Sequence, residues 1–321
     1  MNIEAKELFT SSYPSVLIPY KGPSFNPDDY DFFFYLRPES NGVTIESMAL
    51  KMINSVPEYK ENLKLIYMAN IPGEFIVERH IVERHYRTKL IFATHGKKYF
   101  TPHMKIMFKK HFGINADEAN VIGAFEALRY FKMEPEELFN IWVPMEDVLS
   151  VHGQTIKKYM DTYIVNYDIP ALMHKNNRNT DIAVLMFRTT LDPERLFKLA
   201  EDMKEKMHQA GFLRKGMALS RLIHITKGPL EQILDAAGYL YKEKDLQFDL
   251  EDISFARFLL EAGMSREEIM GMVTQPIVTY QDPGDKKHTI KEGNLYNLCE
   301  KLSYKEAREF ILHVKSHFIL K

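Results

Sequence analysis

Four segments of this chain start a helix in the same way, and they constrain its fold more than any other feature. Each has a hydrophobic residue, a capping residue and a first turn with glutamate, usually followed by a second hydrophobic residue. They lie at 133–138, 191–196, 264–269 and 302–307. In the third segment, Ser265 and Glu268 predict a capping box, in which each side chain accepts a hydrogen bond from the other residue's backbone. The starts are unevenly spaced, so they indicate ordinary helices and not a repeat.

The first 70 residues follow a different pattern. Short apolar or aromatic runs bounded by Pro and Gly predict strands. These runs lie at 15–20, 31–36 and 63–68. Helical spacing predicts a helix at 43–54, and helix signals dominate from Ile71 onward. We therefore expect a mainly α protein of the α+β class, in which a small N-terminal β-containing part precedes a multi-helix array.

Composition supports a globular chain with ample material for a core. The predicted units are 1–70, 71–175 and 176–321, with the last boundary near a polar, turn-rich stretch. Cys299 is the only cysteine, which excludes an internal disulfide and any multi-cysteine metal site. The N-terminus lacks the order of a signal peptide, and no apolar run approaches the roughly 20 residues of a membrane helix. We expect a cytoplasmic protein with no membrane partner.

One segment, 79–111, is strongly basic. It contains nine Lys and Arg residues against one acid, Glu83, and five of the 12 histidines. The segment therefore carries a formal charge of +8, while the whole chain carries −2. Such segregation has electrostatic consequences even in a nearly neutral protein.

The functional interpretation of this basic segment is an anion-binding face. Lys and Arg side chains release counterions when they bind phosphate, and interleaved aromatic rings can stack on bases. The candidate anion-binding residues are Arg79, Arg84, Arg87, Lys97, Lys98, Lys105, Lys109 and Lys110, and the candidate stacking residues are Tyr86 and Tyr99. The alternative is that the basic face pairs with the acidic remainder of the chain or meets water.

The basic segment is expected to be helical. Pro72 can open a helix with an apolar stripe that ends at Leu90. Thr101 and Pro102 then predict an N-cap and the first residue of a second helix. A hairpin through 90–101 is the competing interpretation.

Metal binding and catalysis are not expected from the spacing of the residues. The triplet Glu-Arg-His occurs at 78–80 and again at 83–85, which places His80 and His85 on different helix faces. The Glu-x-x-His motif of di-iron sites occurs in the right order only at 205–208, where two copies would be required. Phosphate-loop, nucleophile-elbow and kinase motifs are absent. We therefore predict no catalytic residues, no metal and no cofactor, and we expect His224 and Cys299 to lie in the core.

Residues 217–272 have a recognisable order of elements. A helix at 218–225, a turn at Gly228 and a helix at 230–237 are followed by a polar connection and two more helices. This order resembles a winged helix-turn-helix module of the MerR type, which implies DNA binding through the second helix. That helix carries Glu231 and Asp235 and no Arg, which disfavours phosphate contacts. A degenerate module for protein contacts and a coincidental helical hairpin are the alternatives.

Three functional hypotheses follow. The first is a non-enzymatic binding or regulatory protein whose basic segment engages an anionic partner, with nucleic acid as the leading candidate. The second is an enzyme or sensor for a phosphorylated small molecule that uses the same basic residues. The third is a protein-interaction scaffold. The oligomeric state and the motion of the irregular stretch 275–293 are left open by the sequence.

Overall fold

The computed structural model describes residues 13–26, 28–37, 42–213, 222–282 and 289–320. The helices are α1 (Val43–Ser55), α2 (Pro57–Asn62), α3 (Gly73–Glu78), α4 (Ile81–His85), α5 (Arg87–His95), α6 (Pro102–Phe112), α7 (Ala124–Phe131), α8 (Pro135–Asn140), α9 (Ile169–Lys175), α10 (Pro193–Gln209), α11 (Pro229–Tyr239), α12 (Ser254–Glu261), α13 (Arg266–Thr274), α14 (Leu295–Leu298) and α15 (Tyr304–Ile311). The strands are β1 (Ser15–Ile18), β2 (Tyr30–Leu36), β3 (Leu63–Ile71), β4 (Asn120–Gly123), β5 (Val148–Val151), β6 (Gln154–Tyr159), β7 (Thr162–Val165), β8 (Ile182–Thr189), β9 (Ile223–Ile225), β10 (Tyr241–Glu243), β11 (Leu246–Gln247), β12 (Ile277–Gln281), β13 (Ile290–Asn294) and β14 (Val314–His317).

An antiparallel five-stranded sheet forms the centre of the molecule, and we call it the central sheet. Its strand order is β1-β3-β8-β2-β9. Strand β2 is buried along its whole length, so its run of aromatic residues faces packed side chains on both sides. Phe187 of β8 pairs with Phe32 of β2 on one side and with Leu65 of β3 on the other. Helices α1, α10, α11 and α12 contribute buried apolar residues to the same core.

Two further sheets contribute residues to a second, smaller core. The second sheet has the order β4-β7-β6-β5, and the C-terminal sheet has the order β13-β12-β14. Phe108 of α6, Ile156 of β6 and Ile277 of β12 belong to one buried cluster. Helix α6 therefore packs against both sheets, and its N-terminus lies where they meet.

The prediction of a small N-terminal β part followed by a helix array is wrong. The described chain is 48% helical and 24% strand, and its strands are distributed over four sheets along the whole sequence. Several later strands are short and mix polar with apolar residues, as in the sequences of β6 and β14, so they lack the long alternation that predicts a strand. The broader assignment to the α+β class agrees with the structure.

The predictions of where individual helices begin agree with the structure better than the predicted order of strands and helices. All four helix starts are confirmed, and Ser265 forms its capping box with Glu268. Thr101 is confirmed as the N-cap of α6, whereas the hairpin through 90–101 is wrong, because α5 and a short 3-10 helix occupy that stretch.

Three other predictions changed in detail. The single helix expected after Pro72 is divided into α3, α4 and α5, with His80 in a left-handed conformation between the first two. Residues 223–225 form strand β9, not the end of a helix, while 218–221 lie outside the described residues. Strands β12 and β13 lie at 277–281 and 290–294, at the two ends of the stretch 275–293, of which 283–288 are not described.

Candidate metal centre

Two histidines and a glutamate from distant parts of the sequence meet at the N-terminus of α6. His103 is in the first turn of α6, His152 is in the turn between β5 and β6, and Glu292 is in β13. Their ligand atoms lie within 4.8 Å of one another. We call these three residues the His–His–Glu cluster.

The local sequence explains how two of these side chains are presented. The Thr101 side chain caps α6 by accepting a hydrogen bond from the backbone of Met104 at 3.3 Å, which fixes the helix start beside His103. His152 and Gly153 have φ values of +50° and +75°, as a two-residue type I′ hairpin turn requires. Histidine is among the few side chains enriched in this left-handed region.

Nε2 of His152 lies at the centre of the cluster. It is 2.8 Å from Oε1 of Glu292 and 3.0 Å from Nδ1 of His103. Glu292 also accepts hydrogen bonds from the hydroxyl of Thr101 and from the backbone N–H of His103. The side chains of His152 and Glu292 are only 6% and 9% exposed, whereas His103 is half-buried. The cluster therefore opens to solvent on the side of His103.

The protonation states of two members favour ligation. Burial raises the pKa of Glu292, but the hydrogen bonds from His152 and Thr101 outweigh burial and hold that pKa below its usual value. Burial, followed by the neighbouring His152, lowers the pKa of His103. At neutral pH Glu292 is therefore a carboxylate, and His103 is an uncharged imidazole with a free lone pair.

Protons alone do not satisfy the contacts of this cluster. If Nε2 of His152 carries its proton, that proton has two competing acceptors, Oε1 of Glu292 and Nδ1 of His103. If His103 instead donates to His152, the lone pair of Nε2 faces the Glu292 carboxylate at 2.8 Å. In every tautomer, either the contact from His152 to Glu292 or the one from His152 to His103 lacks a well-directed hydrogen. A cation would instead accept a lone pair from each of the three side chains.

A network of amides holds the turn that carries His152. The side-chain amides of Asn294 and Gln154 each donate to the backbone oxygen of His152 at 2.9 Å. Asn166 in turn donates to the side-chain oxygen of Gln154 at 2.8 Å. Asn294 lies two residues after Glu292 on β13, so both side chains leave the same face of that strand. This is the kind of supporting shell that orients ligands in metal sites.

The donor set fits a transition metal of the zinc type. Two imidazoles and one carboxylate are typical zinc ligands, whereas Mg²⁺ and Ca²⁺ prefer oxygen atoms alone. Tetrahedral zinc places ligand atoms about 3.3 Å apart, given metal–ligand distances near 2.0–2.1 Å. The separations of 2.8 and 3.0 Å at His152 would have to widen by only a few tenths of an ångström.

A second cluster, which we call the core cluster, contains His85, His224 and Asp235. Oδ2 of Asp235 is 3.0 Å from Nε2 of His224 and accepts a hydrogen bond from the Thr226 hydroxyl at 2.6 Å. Oδ1 is 3.8 Å from Nδ1 of His85. Burial lowers the pKa of each histidine to about 4 and raises that of Asp235 to about 6. The Arg37 guanidinium lies close enough to influence all three pKa values.

The core cluster is not assigned as a metal site. The ligand atoms of His224, Glu231 and Asp235 lie within 4.8 Å of one another. However, Oδ2 of Asp235 already has two partners, and the charge of Arg37 would oppose a divalent ion. The prediction that His224 lies in the core is confirmed.

Four of the predicted anion-binding residues are engaged within the molecule. Arg79 pairs with Asp245 at 2.7 Å and Lys105 with Asp117 at 2.9 Å. Arg87 donates to the backbone oxygens of 274 and 320, and Lys97 donates to those of 116, 117 and 119. The charges of these four residues therefore have partners within the fold.

The remaining four, Arg84, Lys98, Lys109 and Lys110, are exposed. Of the predicted stacking residues, Tyr86 accepts a hydrogen bond from Arg37, and the ring of Tyr99 lies 5.6 Å from the ammonium of Lys98. Binding of nucleic acid through this segment stays a prediction.

Sequence reasoning missed the His–His–Glu cluster because its members are far apart in the chain. His103 and His152 are 49 residues apart, and Glu292 lies a further 140 residues on. One local signal was available, because Gly153 follows the apolar run of β5, and a glycine after such a run suits a tight hairpin turn. No pattern in the sequence indicates that this turn meets α6 and β13.

Comparisons with family models, curated proteins and solved structures gave no match to this chain. Among the described residues, no helix combines the length and the apolar character needed to cross a bilayer. The function is therefore inferred from the geometry of the site.

Proposed function

We propose that this protein binds a divalent transition-metal ion of the zinc type through His103, His152 and Glu292. The observation that carries the proposal is the convergence of three ligand atoms whose contacts no single arrangement of protons satisfies. Three protein ligands leave a coordination position for water or an external ligand, as in catalytic zinc sites, whereas structural zinc sites have four. A metal held in this way polarises bound carbonyl or phosphoryl groups and acidifies bound water.

Titration of the metal-free full chain with Zn²⁺ and with Co²⁺, followed by calorimetry and by visible absorption, tests this proposal. We expect one ion per chain. In His103→Ala and in His152→Ala the affinity for the ion should fall about 100-fold or more. His95→Ala is the matched control, because His95 is an exposed histidine of the same basic segment and packs edge-on to Tyr99, outside the cluster. Absence of binding, or equal binding by all variants, would contradict the proposal.

A second proposal concerns the external ligand, which we infer to be a small anion with an apolar portion. A shallow groove of about 240 Å³ lies beside the cluster, lined by 98–102 and 318–320. Thr101 lines this groove and also donates to Glu292. Lys98 supplies positive charge, while Phe100 and Phe318 supply apolar walls.

Benzoate and phenyl phosphate, titrated into the Co²⁺ form, are the probes for this second proposal. We expect them to perturb the visible spectrum, with several-fold weaker binding in Lys98→Gln. Lys109→Gln is the control, because Lys109 is also an exposed lysine but lies on α6, outside the groove. A protein that binds Co²⁺ but whose spectrum is indifferent to both anions would reject this proposal alone.

A further inference from the structure

Two buried atoms in the core cluster face each other without hydrogen bonds. Nδ1 of His85 and Oδ1 of Asp235 are 3.8 Å apart, which is too long for a hydrogen bond. Neither atom has another hydrogen-bond partner among the described residues. Their side chains are 5% and 0% exposed, so bulk water does not compensate them. Buried polar atoms without a hydrogen bond are rare in folded proteins, so this pair requires a physical explanation.

The surroundings of this pair are polar but hold little positive charge. The titratable groups that face it come from β2 and the residue after it, from α4 and the residue after it, from β9, from α11 and from α14. They are Tyr30, Tyr35, Arg37, Tyr86, His224, Glu231, Tyr239 and Tyr296. Arg37 is the one permanent cation in this set. Burial raises the pKa of Glu231 and lowers that of His224. Both shifts favour the uncharged side chain, so neither residue brings a full charge to the His85–Asp235 pair.

We propose that the folded protein takes up one proton at the His85–Asp235 pair on mild acidification, and that the resulting hydrogen bond draws α4 onto α11. The proton lies either on Oδ1, which then donates to the Nδ1 lone pair of a neutral imidazole, or on Nδ1 of an imidazole that keeps its Nε2 proton, and this imidazolium then donates to the carboxylate. In both forms one proton is bound, and the net charge of the cluster rises by one. Closing the gap to a charge-assisted hydrogen bond of about 2.8 Å requires a shift of about 1 Å.

Position in the fold gives this proton a structural effect. His85 is the last residue of α4, and α4 packs directly against α11, which carries Asp235. Tyr86 follows immediately and connects α4 to α5, the helix that leads toward α6. The raised pKa of Asp235, about 6, places proton uptake within reach of mildly acidic conditions. The proposal is independent of metal binding, because none of these residues belongs to the His–His–Glu cluster.

NMR titration of the isotope-labelled full chain tests this proposal. We expect the carboxyl carbon of Asp235, the ring nitrogens of His85 and the amides of α4 to shift together, with one midpoint near pH 6. Asp235→Asn should abolish this shared step. Asp245→Asn is the matched control, since it removes an exposed carboxylate that pairs with Arg79, and the step should persist.

Three outcomes would overturn the proposal. The Asp235 carboxyl carbon could titrate near pH 4, as a solvent-exposed aspartate does. His85 could titrate alone near pH 6.5. The amides of α4 could remain unchanged across the midpoint. The wild-type titration decides each of these, so the test stands even if Asp235→Asn fails to fold.

Discussion

The His–His–Glu cluster and the core cluster each contain two imidazoles and a carboxylate, yet their surroundings differ, and at the core cluster a second carboxylate, Glu231, lies close by. In the core cluster, Thr226 donates to Asp235, and Arg37 lies nearby as a fixed positive charge. In the His–His–Glu cluster, the carboxylate accepts hydrogen bonds from Thr101, from the His103 backbone and from His152, and none of these partners is Lys or Arg. The core cluster is enclosed, while the His–His–Glu cluster opens to solvent at His103.

This difference shows that residue types alone do not define a metal site. Near a buried carboxylate that already has a permanent cation in its surroundings, a divalent ion would bring two further positive charges into an enclosed site, whereas a proton brings only one. A carboxylate that faces two imidazole nitrogens with too few protons, next to solvent, is suited to take up a cation. The same donor atoms therefore predict a proton-binding contact in one place and a metal centre in the other.

The largest expected effect is on stability, from removal of the core carboxylate. Asp235→Ala removes a buried carboxylate that is the hydrogen-bond partner of both Thr226 and His224. We expect the free energy of unfolding to fall by about 3–5 kcal/mol, measured by urea denaturation. The exposed variant Asp245→Ala should lose less than about 1 kcal/mol, because exposed ion pairs contribute little. Similar losses in the two variants would contradict the account of the core cluster.

A second effect is the dependence of stability on pH. The pKa of His85 and of His224 is lowered to about 4 in the folded state, so between that value and the ordinary value of 6.5 the unfolded chain binds more protons at these residues. Stability therefore falls as the pH falls through this window. Asp235, whose pKa is raised to about 6, binds a proton in the folded state in the same pH range. This proton offsets one of the two that the unfolded chain binds at His85 and His224.

Asp235→Asn tests this prediction, because it removes the carboxyl group that binds a proton in the folded state. One net proton corresponds to a slope of about 1.4 kcal/mol per pH unit, and two net protons to about twice that. We expect the loss of unfolding free energy between pH 6 and pH 5 to be about twice as steep in Asp235→Asn as in the wild type. Equal slopes would show that Asp235 takes up no proton in this range.

A smaller effect is expected from the amide network behind His152. Asn294→Ala removes the donor to the backbone oxygen of His152 and leaves the three proposed ligands in place. We expect metal affinity to fall about 10- to 100-fold, as for other residues that orient metal ligands. Calorimetric titration with Zn²⁺ measures this loss. Asn297→Ala, an exposed residue three positions on, should bind zinc like the wild type.

Much of the local structure was predictable, because helix starts depend on neighbours in sequence. Ser265 and Ser303 form capping boxes with residues three positions on, so the information lies within four residues. The sheets are different, since β8 pairs with β3 more than 100 residues earlier in the chain. Nothing in the polar sequence of β6 or β14 specifies such partners.

The candidate site was less predictable than the fold, for a related reason. The basic segment stood out because its charges are consecutive, yet half of its candidate residues bind acids or backbone oxygens within the molecule. His103 stood out only as one of five histidines in that segment. Its partners His152 and Glu292 come from a hairpin turn and an edge strand, whose convergence depends on how two sheets pack.

The most direct test of the central claim is a crystal structure of the zinc-loaded protein with anomalous data collected at the zinc absorption edge. We expect one anomalous peak, bound by Nδ1 of His103, Nε2 of His152 and the carboxylate of Glu292, and none between His85 and Asp235. A peak in the core cluster, or zinc bound only at scattered surface histidines such as His95, would contradict the distinction drawn between the two clusters.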